Sequence, residues 1–260
     1  MSHDETNESN PFSSPMAPEI RTATTNAQVG PGFLCDGTAL DSFAQGGKLM
    51  GEHFWLLLGL TILSMVIRAV GDYLDNAFNA AGFEPSLGVL LLGTAYTIFI
   101  SIPVSTGLAY VFLLPARGQQ FELGDLFAAF QRNYIPAVAA GFVKVILIML
   151  GFLLLVVPGI YLAIKFAFVE YLVIDRKLST LDSLKESWHM TNGHELTLFV
   201  IMLLSILIFI GGMLLCLVGV VFSIMWISAA YAVLFYYAER LRQNDDMPKP
   251  ESTSDNPFAN

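Results

Sequence analysis

The chain has 260 residues, 55% of them hydrophobic and only 13% charged, and its mean hydropathy of +0.61 excludes a water-soluble domain and marks an integral membrane protein. The formal charge of -9 does not signal a basic partner such as nucleic acid, because many of the acids lie in the tails: Asp4, Glu5, Glu8 and Glu19, then Asp245, Asp246, Glu251 and Asp255. Two cysteines, Cys35 and Cys216, are too few for a disulfide framework or a metal cluster, and they are expected at opposite ends of the bundle.

Residues 1–37 read as a disordered cytoplasmic tail. No basic segment followed by a short apolar core opens the chain, so no cleaved signal is expected and the N-terminus should stay in the cytoplasm. Residues 243–260 read as a second such tail. Each tail carries an Asn-Pro-Phe triplet, Asn10-Pro11-Phe12 and Asn256-Pro257-Phe258, which reads either as a docking peptide or, preferably, as low-complexity sequence.

Between the tails, residues 38–242 form a membrane domain. A bilayer core of about 30 Å takes roughly 20 helical residues to cross. Six runs qualify, at residues 52–71, 87–115, 133–157, 159–175, 195–217 and 220–241. Pro103 should kink the second, where Ser101, Ser105 and Thr106 are at hand to satisfy freed backbone groups. Pro158-Gly159 is expected to form the tight turn between the third and fourth spans.

Lys48, Arg117, Arg132, Arg176, Lys177, Lys185, Arg240 and Arg242 all fall on one side of this map. Only Arg68 falls near the other, where it can snorkel beside Asp72 and Asp75. The bias predicts both termini in the cytoplasm of a multi-pass protein of the cell's inner membrane.

Three segments resemble one another: "TALDSFAQGGKLMGEHFWLLL", "FELGDLFAAFQRNYIPAVAA" and "STLDSLKESWHMTNGHELTLF". Each is an amphipathic stretch feeding an odd-numbered span, with Leu181, Leu184 and Trp188 on one stripe of the third, and Leu123, Leu126, Phe127 and Phe130 on one stripe of the second. Phe43, Phe130 and Trp188 are therefore expected at the membrane interface. Thr38 with Asp41, and Ser179 with Asp182, match a helix-capping pattern that the second segment lacks. "GFLLLVVPGI" also matches "GMLLCLVGVV", which sets Gly219 in the place of Pro158. The predicted fold is all-α, a polytopic membrane protein of six transmembrane helices built as three repeats of interfacial helix plus hairpin, at about 38–116, 120–177 and 179–241.

The stretch "GFLLLVVPGIYLAIKFAFVEYLVIDRKLSTLDSLKESW" resembles the bacterial six-span families that include the membrane domain attached to some glycerophosphodiester phosphodiesterases. The resemblance spans about residues 38–240 and implies fold and location, not an activity.

Catalytic patterns do not form. His194-Glu195 starts like H-E-x-x-H, but Leu198 and Phe199 stand where the second histidine is needed. His53 beside Glu52 and His194 beside Glu195, with His189 nearby, read as paired residues at span entrances in preference to a metal site. No enzyme, cofactor or metal is expected.

Three charges lie inside the spans: Lys144, Lys165 and Glu170. With the hairpin pivot near Val157, Lys144 and Glu170 lie equally far along their helices and are expected to pair, while Lys165 faces only Met149 and Leu150. Ala137 with Gly141, and Ser101 with Ser105, offer small faces for close packing, and Tyr231, Tyr236 and Tyr237 suggest an aromatic belt. Two functions remain. The preferred one is a non-enzymatic protein of membrane organisation, or an accessory to a transport or lipid-handling system, with membrane lipids and a further membrane protein as partners. The other is a small-solute or lipid transporter or channel.

Overall fold

The computed structural model describes residues 35–80 and 87–245; both Asn-Pro-Phe triplets lie outside them, as do most residues of the two predicted tails. Their regular structure is all helical, in the order α1 (Ala39–Glu52), α2 (Phe54–Ala80), α3 (Leu87–Tyr96), a π-helical turn (Thr97–Ser101), α4 (Ile102–Ala116), a 3₁₀ turn (Leu123–Phe127), α5 (Ala128–Arg132), α6 (Tyr134–Leu154), α7 (Val156–Lys165), α8 (Val169–Asp175), α9 (Thr180–Thr191), α10 (Glu195–Leu214) and α11 (Cys216–Asp245). Six helical stretches are long and apolar enough to span a membrane, at Phe54–Gly71, Leu91–Ala116, Tyr134–Leu154, Val156–Asp175, Glu195–Leu214 and Val218–Gln243. The chain is an integral membrane protein on these grounds.

The spans alternate in burial. Over an 18-residue apolar stretch of each, the second, fourth and sixth bury 56% of their residues, against 28%, 17% and 17% for the first, third and fifth. The even-numbered spans thus form the core and the odd-numbered ones flank it. Val104, Val111 and Phe112 of α4, Leu172 and Ile174 of α8, and Ala229, Ala232 and Phe235 of α11 are fully enclosed, whereas Met149, Leu153, Leu207 and Leu214 on the flanking spans stand exposed as lipid-facing residues do. One end of the bundle holds Cys35 and the last turn of α11; the other holds the turns at Leu155 and Leu215. They are called here the terminal end and the hairpin end.

The second span departs from α-helical form next to Pro103, by a device the sequence did not show. A π-helical turn precedes Pro103, and Ser105 and Thr106 both donate to the Ile102 carbonyl, at 2.8 and 3.1 Å. The carbonyl four residues before Pro103 belongs to Phe99, and it accepts from Tyr134 Oη at 3.0 Å. Close packing at Gly141 then follows, because a Cβ there would come within 2.4 Å of the Ile102 side chain.

Pro158-Gly159 is not the turn of the third hairpin. The reversal is made at Leu155, extended at φ -167° and ψ 156°, and Pro158 sits in the first turn of α7, where a missing N–H leaves no gap. Gly159 serves packing: a Cβ on it would strike the Phe152 ring, and one on Gly151 would meet the Gly159 backbone at 2.9 Å. Gly212 and Gly219 approach each other in the same way in the last hairpin, where a Cβ on Gly212 would lie 2.6 Å from the Gly219 carbonyl oxygen. Nor is the fourth span one helix; it breaks at Phe166–Phe168 between α7 and α8.

The amphipathic segments also differ from expectation. The apolar stripe of α1 lies on α11: Phe43 is buried edge-on against Trp226 at 6.1 Å, Trp226 Nε1 donates to the Phe43 carbonyl at 2.8 Å, and Gly46 lets α1 approach the Ala230 backbone. The second segment is a 3₁₀ turn followed by α5, with Leu126 buried under Gly107 and Phe130 half-exposed, its ring 5.5 Å from Tyr134. It has its own cap, one residue later than the pattern sought, as Asp125 accepts from the Glu122 amide at 2.8 Å. The predicted caps form at Thr38 and Ser179, each accepting from an amide three residues on, at 3.3 Å. The three tyrosines make no belt: Tyr236 is buried under Arg240, Tyr237 lies against Gly37 and His194, and Tyr231 faces inward.

Candidate functional site

Lys144 lies in mid-α6 and Glu170 in the first turn of α8. With the pivot at Leu155 they are 11 and 15 positions from the turn, a level difference of about 6 Å at 1.5 Å per residue. The flexible four-carbon lysine stem bridges it, and Lys144 Nζ donates to Glu170 Oε1 at 3.1 Å. The pair is not sealed: the side chains keep 19% and 31% of their exposure, because they face a cavity.

That cavity, of about 450 Å³, is lined from every span: Arg68 of α2, Ser105 of α4, Lys144 of α6, Glu170 of α8, Met202 of α10 and Tyr231 of α11. Among the described residues its charged lining is two cations and one carboxylate, and much of the remaining wall is apolar, with Leu108, Ile148 and Ile224. A volume of a few hundred cubic ångströms with few polar groups on apolar walls is the usual form of a small-molecule site. A second cavity, of about 510 Å³ between α2 and α11, is lined by apolar residues such as Phe54, Met65 and Phe222 and offers no polar chemistry.

The core is closed toward the terminal end. Tyr171 stacks on Phe235 at 4.8 Å, Phe168 meets the same ring edge-on at 5.4 Å, and Phe112, Leu113 and Leu172 are fully enclosed. Beyond this layer, Arg117 at the end of α4 makes a two-pronged contact with Asp175 at 2.6 and 2.8 Å and a further one with Glu239 of α11. Arg176 bridges Glu186 and Glu239 at 3.2 and 3.3 Å, and Arg242 reaches Glu186 at 2.9 Å. Burial works against the Arg117 charge, yet the hydrogen bonds and negative charges of Asp175 and Glu239 outweigh it and hold the guanidinium well above its ordinary value. Three arginines and three carboxylates thus tie the ends of the three core spans to α9.

Lys165 is separate from the cavity. It is 1% exposed and donates to Asn192 Oδ1 at 2.6 Å and Glu195 Oε1 at 2.7 Å, with the Tyr161 and Trp188 rings 5.4 and 5.3 Å from its ammonium. Its partner is therefore in the next hairpin, across from none of the residues at its own level. Gly193, at φ +83°, turns the chain between α9 and α10, and its amide donates to the other Glu195 oxygen at 2.9 Å. Ser187 fits into the break of the fourth span: its Oγ accepts from the Phe168 amide at 3.3 Å and donates to the Lys165 carbonyl at 2.8 Å. Trp188 keeps about a third of its surface exposed, one face taken by Tyr161 and Phe166.

Of the three intramembrane charges singled out from sequence, two meet in the cavity and one is enclosed by α9 and α10. Arg68 and Tyr231 join the cavity, although sequence placed them at membrane interfaces; the side chains of Asp72 and Asp75 lie outside the described residues. His53 packs on Phe121 at 5.4 Å and His194 on Tyr237 at 6.1 Å. Among the described residues, His, Cys, Asp and Glu do not gather in threes as a metal would require. Comparison with protein-family models, with curated proteins and with solved structures gives no match.

Proposed function

We propose that this chain is a non-enzymatic inner-membrane protein that holds a membrane amphiphile in its central cavity and acts in lipid handling, alone or as accessory to a transport system. The observation that carries the reading is the 450 Å³ cavity lined by all six spans, with the Lys144–Glu170 pair partly exposed inside it. Ion pairs that serve only to hold helices together gain nothing from such a space beside them, and a charged pair in a membrane interior marks a functional place. Closure at the terminal end and exposed apolar residues such as Ile146 and Leu150 around the hairpin half favour entry of a ligand from the bilayer.

On the excess of Lys and Arg at the terminal end, both termini are cytoplasmic, and the cavity lies around the middle of the membrane, with Arg68 toward its outer side and Glu170 toward its inner side. The threefold likeness of the segments supports three copies of one hairpin unit, each giving one core span and one flanking span.

The test is photocrosslinking in vesicles that contain a phospholipid with a photoactive acyl chain. Crosslinks on peptides carrying Ile148 and Ile224, lost when Ser228→Phe fills the cavity, support the reading. Crosslinks spread evenly over the flanking spans and unchanged by that substitution sink it. A transporter or channel is the second reading, favoured by the same cavity, and flux of a defined solute by the purified protein in liposomes would establish it.

A further inference from the structure

We infer that the cavity selects an anion carried on an apolar body, a single phosphate or carboxylate headgroup seated by Arg68 and Lys144, with Glu170 a tethered competitor for the lysine. The inference rests on the binding role proposed above and names its ligand. Among the described residues, two cations and one carboxylate line the cavity. Lys144 meets Glu170 through one oxygen at 3.1 Å, and both side chains remain partly exposed to the space, so a second anion can approach the ammonium without a new opening. A carboxylate and an arriving headgroup then share the lysine, and Arg68, itself exposed, supplies the remaining positive charge.

The walls decide what carries the anion. Leu108, Ile148, Ile224 and Ile227 face the same space, and a bare inorganic anion would lose water to them without a compensating contact. An amphiphile places its tail against these residues and its headgroup at the cations. The outer faces of the neighbouring spans are apolar, with Ile146, Met149, Ile206 and Leu207 exposed, so the ligand reaches the cavity from lipid.

The experiment titrates the purified, lipid-stripped full chain in detergent with phosphatidylglycerol, phosphatidylethanolamine, dodecyl phosphate and inorganic phosphate, reading bound lipid by native mass spectrometry and phosphate by competition. Phosphatidylglycerol and dodecyl phosphate are expected to bind about ten-fold more tightly than phosphatidylethanolamine, and millimolar phosphate should not displace them. Arg68→Gln, at an exposed position, should weaken phosphatidylglycerol and dodecyl phosphate binding about five-fold and phosphatidylethanolamine binding less, which narrows the preference between them. Glu170→Gln should raise phosphatidylglycerol affinity several-fold by releasing Lys144, where a purely structural pair would only lower the melting temperature.

Equal binding of the two phospholipids, or indifference to Arg68→Gln, overturns the inference while leaving amphiphile binding in place. Effective competition by inorganic phosphate overturns the amphiphile part and makes the site one for a free anion. Retention of no lipid of either charge would overturn the proposed function as well.

Discussion

Lys165 Nζ lies 2.7 Å from Glu195 Oε1, joining the end of α7 to the first turn of α10 across a 30-residue separation. The ammonium is enclosed while the carboxylate keeps 39% of its exposure, so the cost of a broken pair falls on the lysine. Glu195→Ala should lower detergent stability by about 2–4 kcal/mol, since it leaves a buried cation with Asn192 as its remaining hydrogen-bond acceptor. Lys165→Met should cost less than Glu195→Ala, and adding it to Glu195→Ala should recover part of the loss. A double variant as unstable as the sum of the two would show that the residues do not interact.

The pair in the cavity tests differently. Lys144→Glu sets two carboxylates together and should destabilise the protein, and adding Glu170→Lys should restore part of the loss, read as the melting temperature of the purified protein. Because both groups see the cavity, the single change is expected to cost only about 1–2 kcal/mol. A strictly additive double variant would refute the pairing.

At the terminal end, Arg117→Met leaves Asp175 and Glu239 facing each other with their shared cation gone. Breaking such a group typically costs about 3–5 kcal/mol. Arg117→Lys keeps the charge but not the two-pronged geometry and should recover part of it. Thermal unfolding of the three proteins checks the order, and an equal melting temperature for all would show that the network contributes nothing.

Gly107 of α4 packs directly on the backbone of the 3₁₀ turn. A Cβ there would lie 1.8 Å from the Leu126 carbonyl oxygen, which belongs to backbone and has no rotamer to escape into. Gly107→Ala should therefore displace residues 123–127 and cost about 1–3 kcal/mol or more, whereas Gly124→Ala, in open space, should have little effect. Reversed sensitivities would contradict the packing.

The proposed orientation is open to labelling. A single cysteine at Asn79, past the end of the first span, should react with an impermeant thiol reagent in intact cells, and one at Lys185 in α9 should not. Cys35 is buried, and burial chiefly pushes its thiol above the ordinary value, so it should contribute little background even before removal. Labelling at Lys185 alone would invert the topology.

How much was legible before the structure differs from residue to residue. Number and place of the spans follow from composition and length, because lipid leaves the backbone no alternative to hydrogen-bonded helices of a set length. The caps at Thr38 and Ser179 and the meeting of Lys144 with Glu170 are near in sequence or follow from one hairpin, so local geometry suffices. The core was also faintly written: each odd-numbered span is more apolar than the even-numbered span after it, as lipid-facing helices are. The difference is small in the first hairpin, 2.0 against 1.9 in mean hydropathy, and so does not single out the core by itself.

What the tertiary structure alone decided is which side chains meet across separate hairpins. Ser187 enters the break at Phe166–Phe168, Glu195 reaches Lys165, Glu239 reaches Arg117, and Arg68 turns out to line the same space as Lys144. Each join depends on the rotation of one helix about its axis relative to another. A turn of about 100° per residue moves a side chain from lipid to core without altering hydropathy, so composition and spacing cannot report it. The sequence by itself determined that the chain crosses a membrane six times and carries charges inside; packing determined that two of those charges open on a cavity and the third is closed away.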